Sequence, residues 1–170
     1  MQICLNTSTI KPVPLLEKIK LVGEAGYAGI ELWLNDIWEF VARGGEVSEV
    51  TKALEDHGLI VPSVIAMRQW GDFDGWEHQL VLDEARRRFA LGARLGAPFI
   101  VATPPLENPQ TSHLAARYKE LLQIGREEGI KPTFEYISFF KSVYTLKRAW
   151  EIVQEADDPD ATLILDAFHN

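Results

Sequence analysis

The chain has 170 residues, of which 46% are hydrophobic, and a formal net charge of −8. These values are typical of a folded domain with an apolar core, and they argue against nucleic-acid binding, which uses basic surfaces. The single cysteine excludes a disulfide framework. The N-terminus lacks a basic start followed by a long apolar run, so the sequence predicts neither a signal peptide nor a membrane span, and a cytoplasmic location is expected.

A strand and a helix alternate along the chain five times before a final strand. The predicted strands cover residues 2–6, 29–33, 60–66, 98–103, 131–136 and 162–166. The predicted helices cover residues 14–25, 46–57, 77–95, 111–128 and 142–156. Asn108 or Thr111 is expected to cap the fourth helix. The chain contains no linker, so residues 1–170 are expected to form one domain.

Glycine ends four of the predicted helices just before a strand begins. Their segments read EAGYAGIELW, EDHGLIVPSVIA, RLGAPFIVAT and EEGIKPTFEYI. A glycine just past a helix adopts the left-handed conformation that closes the last turn, which assigns this role to Gly26, Gly58, Gly96 and Gly129. The repeat length fits one strand, one crossover helix and two loops, which predicts a parallel α/β sheet.

Two architectures use this alternation. A doubly wound open sheet is complete at about this length, whereas a (β/α)8 TIM barrel needs about 250 residues. A nucleotide-binding open sheet would have a glycine-rich turn after its first strand, but that segment reads NTSTIKPVPL and contains no glycine. Length therefore favours the open sheet, and the distribution of polar residues favours the barrel.

Polar residues follow the predicted strands where chemistry is expected in either architecture. Glu135 and Asp166 are one repeat unit apart, so their carboxylates should stand at the same height on neighbouring strands. Oxygen ligands of this kind bind divalent cations, and a nearby histidine such as His169 suits Mn²⁺, Co²⁺ or Zn²⁺ as well as Mg²⁺. Without a metal, Glu135 would be a charged residue at a solvated strand end, and Asp166 would be a turn residue after a strand.

The segment from FEYISFFK to LILDAFHN resembles the fifth and sixth βα units of the xylose isomerase-like TIM barrel superfamily, whose members include sugar phosphate isomerases, epimerases and inosose isomerases. The earlier AGYAGIELW resembles the second-strand pattern of the same group. The resemblance implies a (β/α)8 barrel represented by about six βα units, with strands seven and eight absent. Two further metal ligands of the family would lie on those two strands.

The resemblance also implies site residues and an activity. Glu135 and Asp166 match metal ligands, Glu135 and His169 match catalytic positions, and His169 matches a substrate contact. The implied reaction is divalent-metal-dependent isomerisation or epimerisation of a sugar, sugar phosphate or inosose through a metal-stabilised enediolate. Ketose epimerases of the family carry a second glutamate where this chain has Lys141, which favours the inosose isomerase-like members.

The end of the second strand and the loop after the third strand offer further substrate contacts. Arg68 could bind a carboxylate or phosphate through its planar guanidinium. Trp33 and Trp70 could form walls against a sugar ring, although aromatic residues more often pack in a core. The expected substrate is a small carbohydrate or polyol, without a nucleic-acid or membrane partner.

A second hypothesis comes from a different functional class. A shortened barrel could be a catalytically incompetent sugar- or polyol-binding module. Unpaired sheet edges promote self-association, so a homo-oligomer is expected in either case. A flavodoxin-like binding domain is the third alternative, and the missing anion-binding loop disfavours it.

Overall fold

Six parallel strands form one curled sheet in the computed structural model, which describes residues 2–107 and 109–169. The strands are β1 (Cys4–Asn6), β2 (Gly29–Trp33), β3 (Val64–Met67), β4 (Phe99–Ala102), β5 (Lys131–Glu135) and β6 (Leu163–Ile164). They lie in the order β1-β2-β3-β4-β5-β6. A doubly wound sheet reverses its strand order at a switch point, so this sequential order contradicts the open-sheet alternative and confirms the TIM-barrel-like fold.

Helices connect the strands. They are α1 (Leu15–Glu24), α2 (Leu34–Ala42), α3 (Val47–Asp56), α4 (Gly75–Arg94), α5 (Thr111–Glu128) and α6 (Leu146–Ala156). Five of these agree with the prediction, but α2 was not predicted. It begins directly after Trp33 without a turn, and its apolar residues Leu34 and Ile37 are fully buried. Such continuous apolar sequence hides the boundary between a strand and a helix.

The predicted glycine stops are confirmed. Gly26, Gly58, Gly96 and Gly129 have φ angles between +61° and +80°. This left-handed region is strained for residues with a Cβ atom, so glycine is the residue that ends each helix and turns the chain toward the next strand.

Two helix starts differ from the prediction. Thr111 is the first residue of α5 rather than its cap, and its hydroxyl accepts a hydrogen bond from Arg148. Asn108, the other proposed cap, lies outside the described residues. Helix α6 begins at Leu146, later than predicted, because the Thr145 hydroxyl caps it by accepting a hydrogen bond from the Arg148 amide.

The hydrophobic core lies between the sheet and the helices. Three large aromatic side chains, Trp70, Tyr118 and Phe134, are fully buried there. The rings of Trp70 and Phe134 meet edge to face with centroids 5.2 Å apart. The Tyr118 hydroxyl lies 3.0 Å from the carbonyl oxygens of Pro132 and Thr162. Since Pro132 belongs to β5 and Thr162 directly precedes β6, Tyr118 ties the last two strands to α5.

None of the helices in the described part of the chain has the length and apolar character needed to cross a membrane.

Candidate metal and active site

A cavity of about 890 Å³ lies at the carboxyl ends of the strands. This is the edge of a parallel barrel where loops carry functional residues. Five of the six predicted site residues line it: Trp33, Arg68, Glu135, Asp166 and His169. The sixth, Trp70, does not.

Glu135, Asp166 and His169 form a compact group on the β5–β6 side of the cavity. One ligand atom from each residue lies within 4.8 Å of the others. Glu135 ends β5 and is the register partner of Ile164 in β6, two residues before Asp166. The parallel pairing of these two strands therefore places both carboxylates at the same edge of the sheet, as the one-repeat spacing predicted.

A single turn of 3₁₀ helix, Ala167–His169, positions the histidine. Asp166 begins this turn, because its carboxylate accepts a hydrogen bond from the Phe168 amide at 2.8 Å and its carbonyl accepts one from the His169 amide at 3.0 Å. The His169 Nε2 atom lies 3.8 Å from the Asp166 carboxylate, and its Nδ1 atom lies 3.3 Å from the Ser138 hydroxyl. The Phe139 ring packs edge to face against the imidazole.

The electrostatics of this group favour a cation. Burial, with a smaller contribution from the nearby carboxylates of Asp166 and Glu31, raises the pKa of Glu135 to about 7. A positive charge between Glu135 and Asp166 would relieve this repulsion. Two carboxylates and one imidazole are also a donor set that divalent cations accept. The three residues therefore fit a divalent metal ion.

The β1–β2 side of the cavity carries a polar network that was not predicted as part of the site. Asn6 and Glu31 are register partners, and the Asn6 side-chain amide donates to the Glu31 carboxylate. The Ser63 hydroxyl donates to the other oxygen of the same carboxylate. Asn6 ends β1, and Glu31 lies within β2. Only the pairing of neighbouring strands, however, brings Ser63, from the segment before β3, into contact with Glu31.

Trp33 and Arg68 lie together at the cavity wall. The Arg68 guanidinium stands over the Trp33 ring, 5.4 Å from its centroid. The Trp33 indole nitrogen lies 3.4 Å from the Asn6 side-chain oxygen. Both residues therefore border the cavity, and the predicted roles of Trp33 as a wall and of Arg68 as an anion contact stay predictions.

Trp70 is not a wall of the cavity, which corrects the sequence-based prediction. Its side chain is fully buried, and its indole N–H donates to the Thr103 carbonyl at 2.7 Å. The preceding residue, Gln69, has a φ angle of +60° and follows the end of β3. The chain turns there, so that Arg68 and Gln69 border the cavity while Trp70 packs in the core.

Comparison with known proteins gives consistent results. Residues 19–170 match the model of the family described as xylose isomerase-like TIM barrel. The chain is 28% identical, over 91% of its length, to a 3-dehydroshikimate dehydratase of Pseudomonas aeruginosa and 26% identical to one of Pseudomonas putida. It spans about a quarter of the length of these curated relatives.

Solved structures share the fold. A crystal structure of the IOLI protein with a bound zinc atom has a TM-score of 0.89 at 21% identity, covering 99% of this chain and 64% of that one. A fusion of a xylose isomerase-like TIM barrel with a 4-hydroxyphenylpyruvate dioxygenase also has a TM-score of 0.89 at 24% identity, covering 99% of this chain and 27% of that one.

Proposed function

The chain belongs to the xylose isomerase-like TIM barrel family. From this we propose that it binds a divalent metal ion in a site for isomerisation or epimerisation of a small polyhydroxylated carbonyl compound. The observation that carries the proposal is the convergence of Glu135, Asp166 and His169 within 4.8 Å at the carboxyl edge of the sheet. The zinc atom in the similar IOLI structure supports a divalent cation as the cofactor.

The reaction requires removal of a proton from a carbon next to a carbonyl group. A divalent cation held by Glu135 and Asp166 would act as a Lewis acid that stabilises the negative charge developing on the substrate oxygens. Glu135 has a pKa of about 7 without the cation, because of burial and neighbouring carboxylates. A bound cation would lower that pKa and keep the carboxylate ionised, as both a metal ligand and a proton acceptor must be.

His169 is suited to contact a substrate oxygen. Its side chain is 7% exposed and packs against Phe139, which holds the ring at the cavity wall. An imidazole can donate a hydrogen bond from one ring nitrogen or carry a proton between substrate atoms. We assign His169 to this role, and Trp33 and Arg68 to the wall that receives the rest of the substrate.

Dehydration is the second candidate function. Both curated relatives are named 3-dehydroshikimate dehydratase. Arg68 is the one guanidinium or ammonium group among the described residues that line the cavity, and it suits a carboxylate. Loss of water beside a carbonyl begins with the same proton abstraction. The metal group, which we define as Glu135, Asp166 and His169, would therefore serve either reaction. The family resemblance, with Lys141 where ketose epimerases carry a second glutamate, favours inosose isomerase-like substrates over free ketoses.

Turnover assays distinguish the two functions. The purified protein, loaded with Mn²⁺, is incubated with a myo-inosose, with D-fructose and with 3-dehydroshikimate. We expect conversion of a polyol ketone, and at least a hundredfold lower rate in Glu135→Gln. A matched control is Glu55→Gln, which changes an exposed carboxylate on α3. Conversion of 3-dehydroshikimate alone would establish dehydration, and equal rates in wild type and Glu135→Gln would contradict both candidates.

A further inference from the structure

Glu31 presents a carboxylate to the cavity, and this carboxylate is not part of the metal group. It lies on β2, separated from the ligands on β5 and beyond β6 by strands β3 and β4. One of its oxygens accepts a hydrogen bond from Asn6 and the other accepts one from Ser63. Each carboxylate oxygen can accept a second hydrogen bond, so Glu31 has acceptor capacity left for a ligand in the cavity.

The orientation of Glu31 is fixed before any ligand arrives. The Asn6 side-chain oxygen accepts hydrogen bonds from the Ser8 amide at 2.8 Å and the Ser8 hydroxyl at 2.6 Å. The Trp33 indole N–H also points to this oxygen, at 3.4 Å. Because these donors occupy the oxygen of Asn6, its amide nitrogen faces Glu31. A carboxylate held in one position loses less entropy when it binds a substrate hydroxyl.

The charge of the cavity indicates which ligand this carboxylate accepts. The described lining residues include three carboxylates (Glu31, Glu135 and Asp166) and one guanidinium (Arg68). A bound divalent cation brings this set to formal neutrality. A phosphorylated sugar would add about two negative charges at pH 7 beside Glu31. Hydroxyl groups, in contrast, are donors that a carboxylate accepts strongly.

We propose that Glu31, held by Asn6 and Ser63 and flanked by Trp33, is a hydroxyl-binding subsite that selects an unphosphorylated polyol. The carboxylate accepts hydrogen bonds from ring hydroxyls, and the indole covers the C–H face of the ring. This inference rests on the proposed function, because the subsite binds the part of the same substrate that lies away from the metal group. It narrows the substrate class from sugars and sugar phosphates to neutral polyols.

Ligand binding tests the subsite without relying on turnover. Saturation-transfer NMR measures the affinity of myo-inositol for the wild type, Glu31→Gln and the control Glu55→Gln, each with and without Mg²⁺. Cyclohexanol, a ring without a diol, and inositol 1-phosphate serve as comparison ligands. We expect wild type and Glu55→Gln to bind myo-inositol, and Glu31→Gln to bind it about tenfold or more weakly while it still binds Mg²⁺. Cyclohexanol and inositol 1-phosphate should bind more weakly than myo-inositol.

A second variant protects the test against a folding defect. Trp33→Ala removes the aromatic wall and leaves the carboxylate, and it should also weaken myo-inositol binding, while circular dichroism confirms the fold of each variant. Equal myo-inositol affinity in wild type and Glu31→Gln, or stronger binding of inositol 1-phosphate, would overturn the subsite. Failure to bind Mg²⁺ would count against the metal-dependent function, and the titrations without metal would still decide the role of Glu31.

Discussion

Glu135→Gln should stabilise the metal-free protein at alkaline pH, although it removes a proposed metal ligand. The pKa of Glu135 is raised from 4.5 to about 7 by burial, with Asp166 and Glu31 adding to the effect. Because the folded state holds this proton more tightly than the unfolded chain, folding stability falls as the pH rises from about 4.5 through about 7. Glutamine carries no charge, so the variant avoids this loss.

The expected size of the effect follows from the pKa. A rise from 4.5 to about 7 corresponds to about 3 kcal/mol of destabilisation when Glu135 is fully ionised. Glu135 is only partly buried, so solvent screening reduces the expected gain of the variant to about 1–2 kcal/mol at pH 8. At pH 5, where the folded protein keeps Glu135 protonated, the gain should nearly disappear.

Urea denaturation in EDTA at pH 5 and pH 8 measures this difference by linear extrapolation. Glu55→Gln is the matched control, because it removes one negative charge from an exposed position on α3. Its stability should follow that of the wild type at both pH values. A Glu135→Gln variant that is only as stable as the wild type at pH 8, or less stable, would refute the view that burial and neighbouring carboxylates disfavour the ionised form of Glu135.

Two further substitutions test the roles of buried aromatic residues in folding stability. Trp70→Ala should lower the free energy of unfolding by about 3–5 kcal/mol, because the buried indole packs in the core. Metal affinity of the remaining folded protein should be unchanged in calorimetry, and a selective loss of ligand binding would contradict the corrected role of Trp70. Tyr118→Phe should lower unfolding stability by about 1–3 kcal/mol, because its hydroxyl lies 3.0 Å from carbonyl oxygens of Pro132 and Thr162. Urea titration measures this change, and a neutral result would show that the hydroxyl does not hold β5 to β6.

Much of the fold could be predicted because its signals are local. A glycine with positive φ marks the end of a helix, and a continuous apolar run marks a strand covered on both faces. The same regularity placed Glu135 and Asp166 side by side, since one repeat unit separates equivalent positions on neighbouring strands. The carboxylate pair is therefore predictable without knowledge of the tertiary structure.

Other features depend on contacts that the sequence does not display. Helix α2 follows β2 without a turn, so no glycine or proline marks its start. Trp33 ends β2 and Trp70 follows β3, and the turn at Gln69 directs the Trp70 indole into the core while the Trp33 indole stays at the cavity. The Glu31 network requires Ser63 from the segment before β3, which becomes a neighbour only when the sheet forms.

Calorimetric titration with Mn²⁺ tests the central claim most directly. It compares the wild type with the double variant Glu135→Gln, Asp166→Asn, because these two carboxylates, together with His169, form the metal group. We expect binding of one Mn²⁺ to the wild type and no measurable binding to the double variant. Equal binding by both proteins, or no binding by either, would contradict a divalent cation site at the ends of β5 and β6.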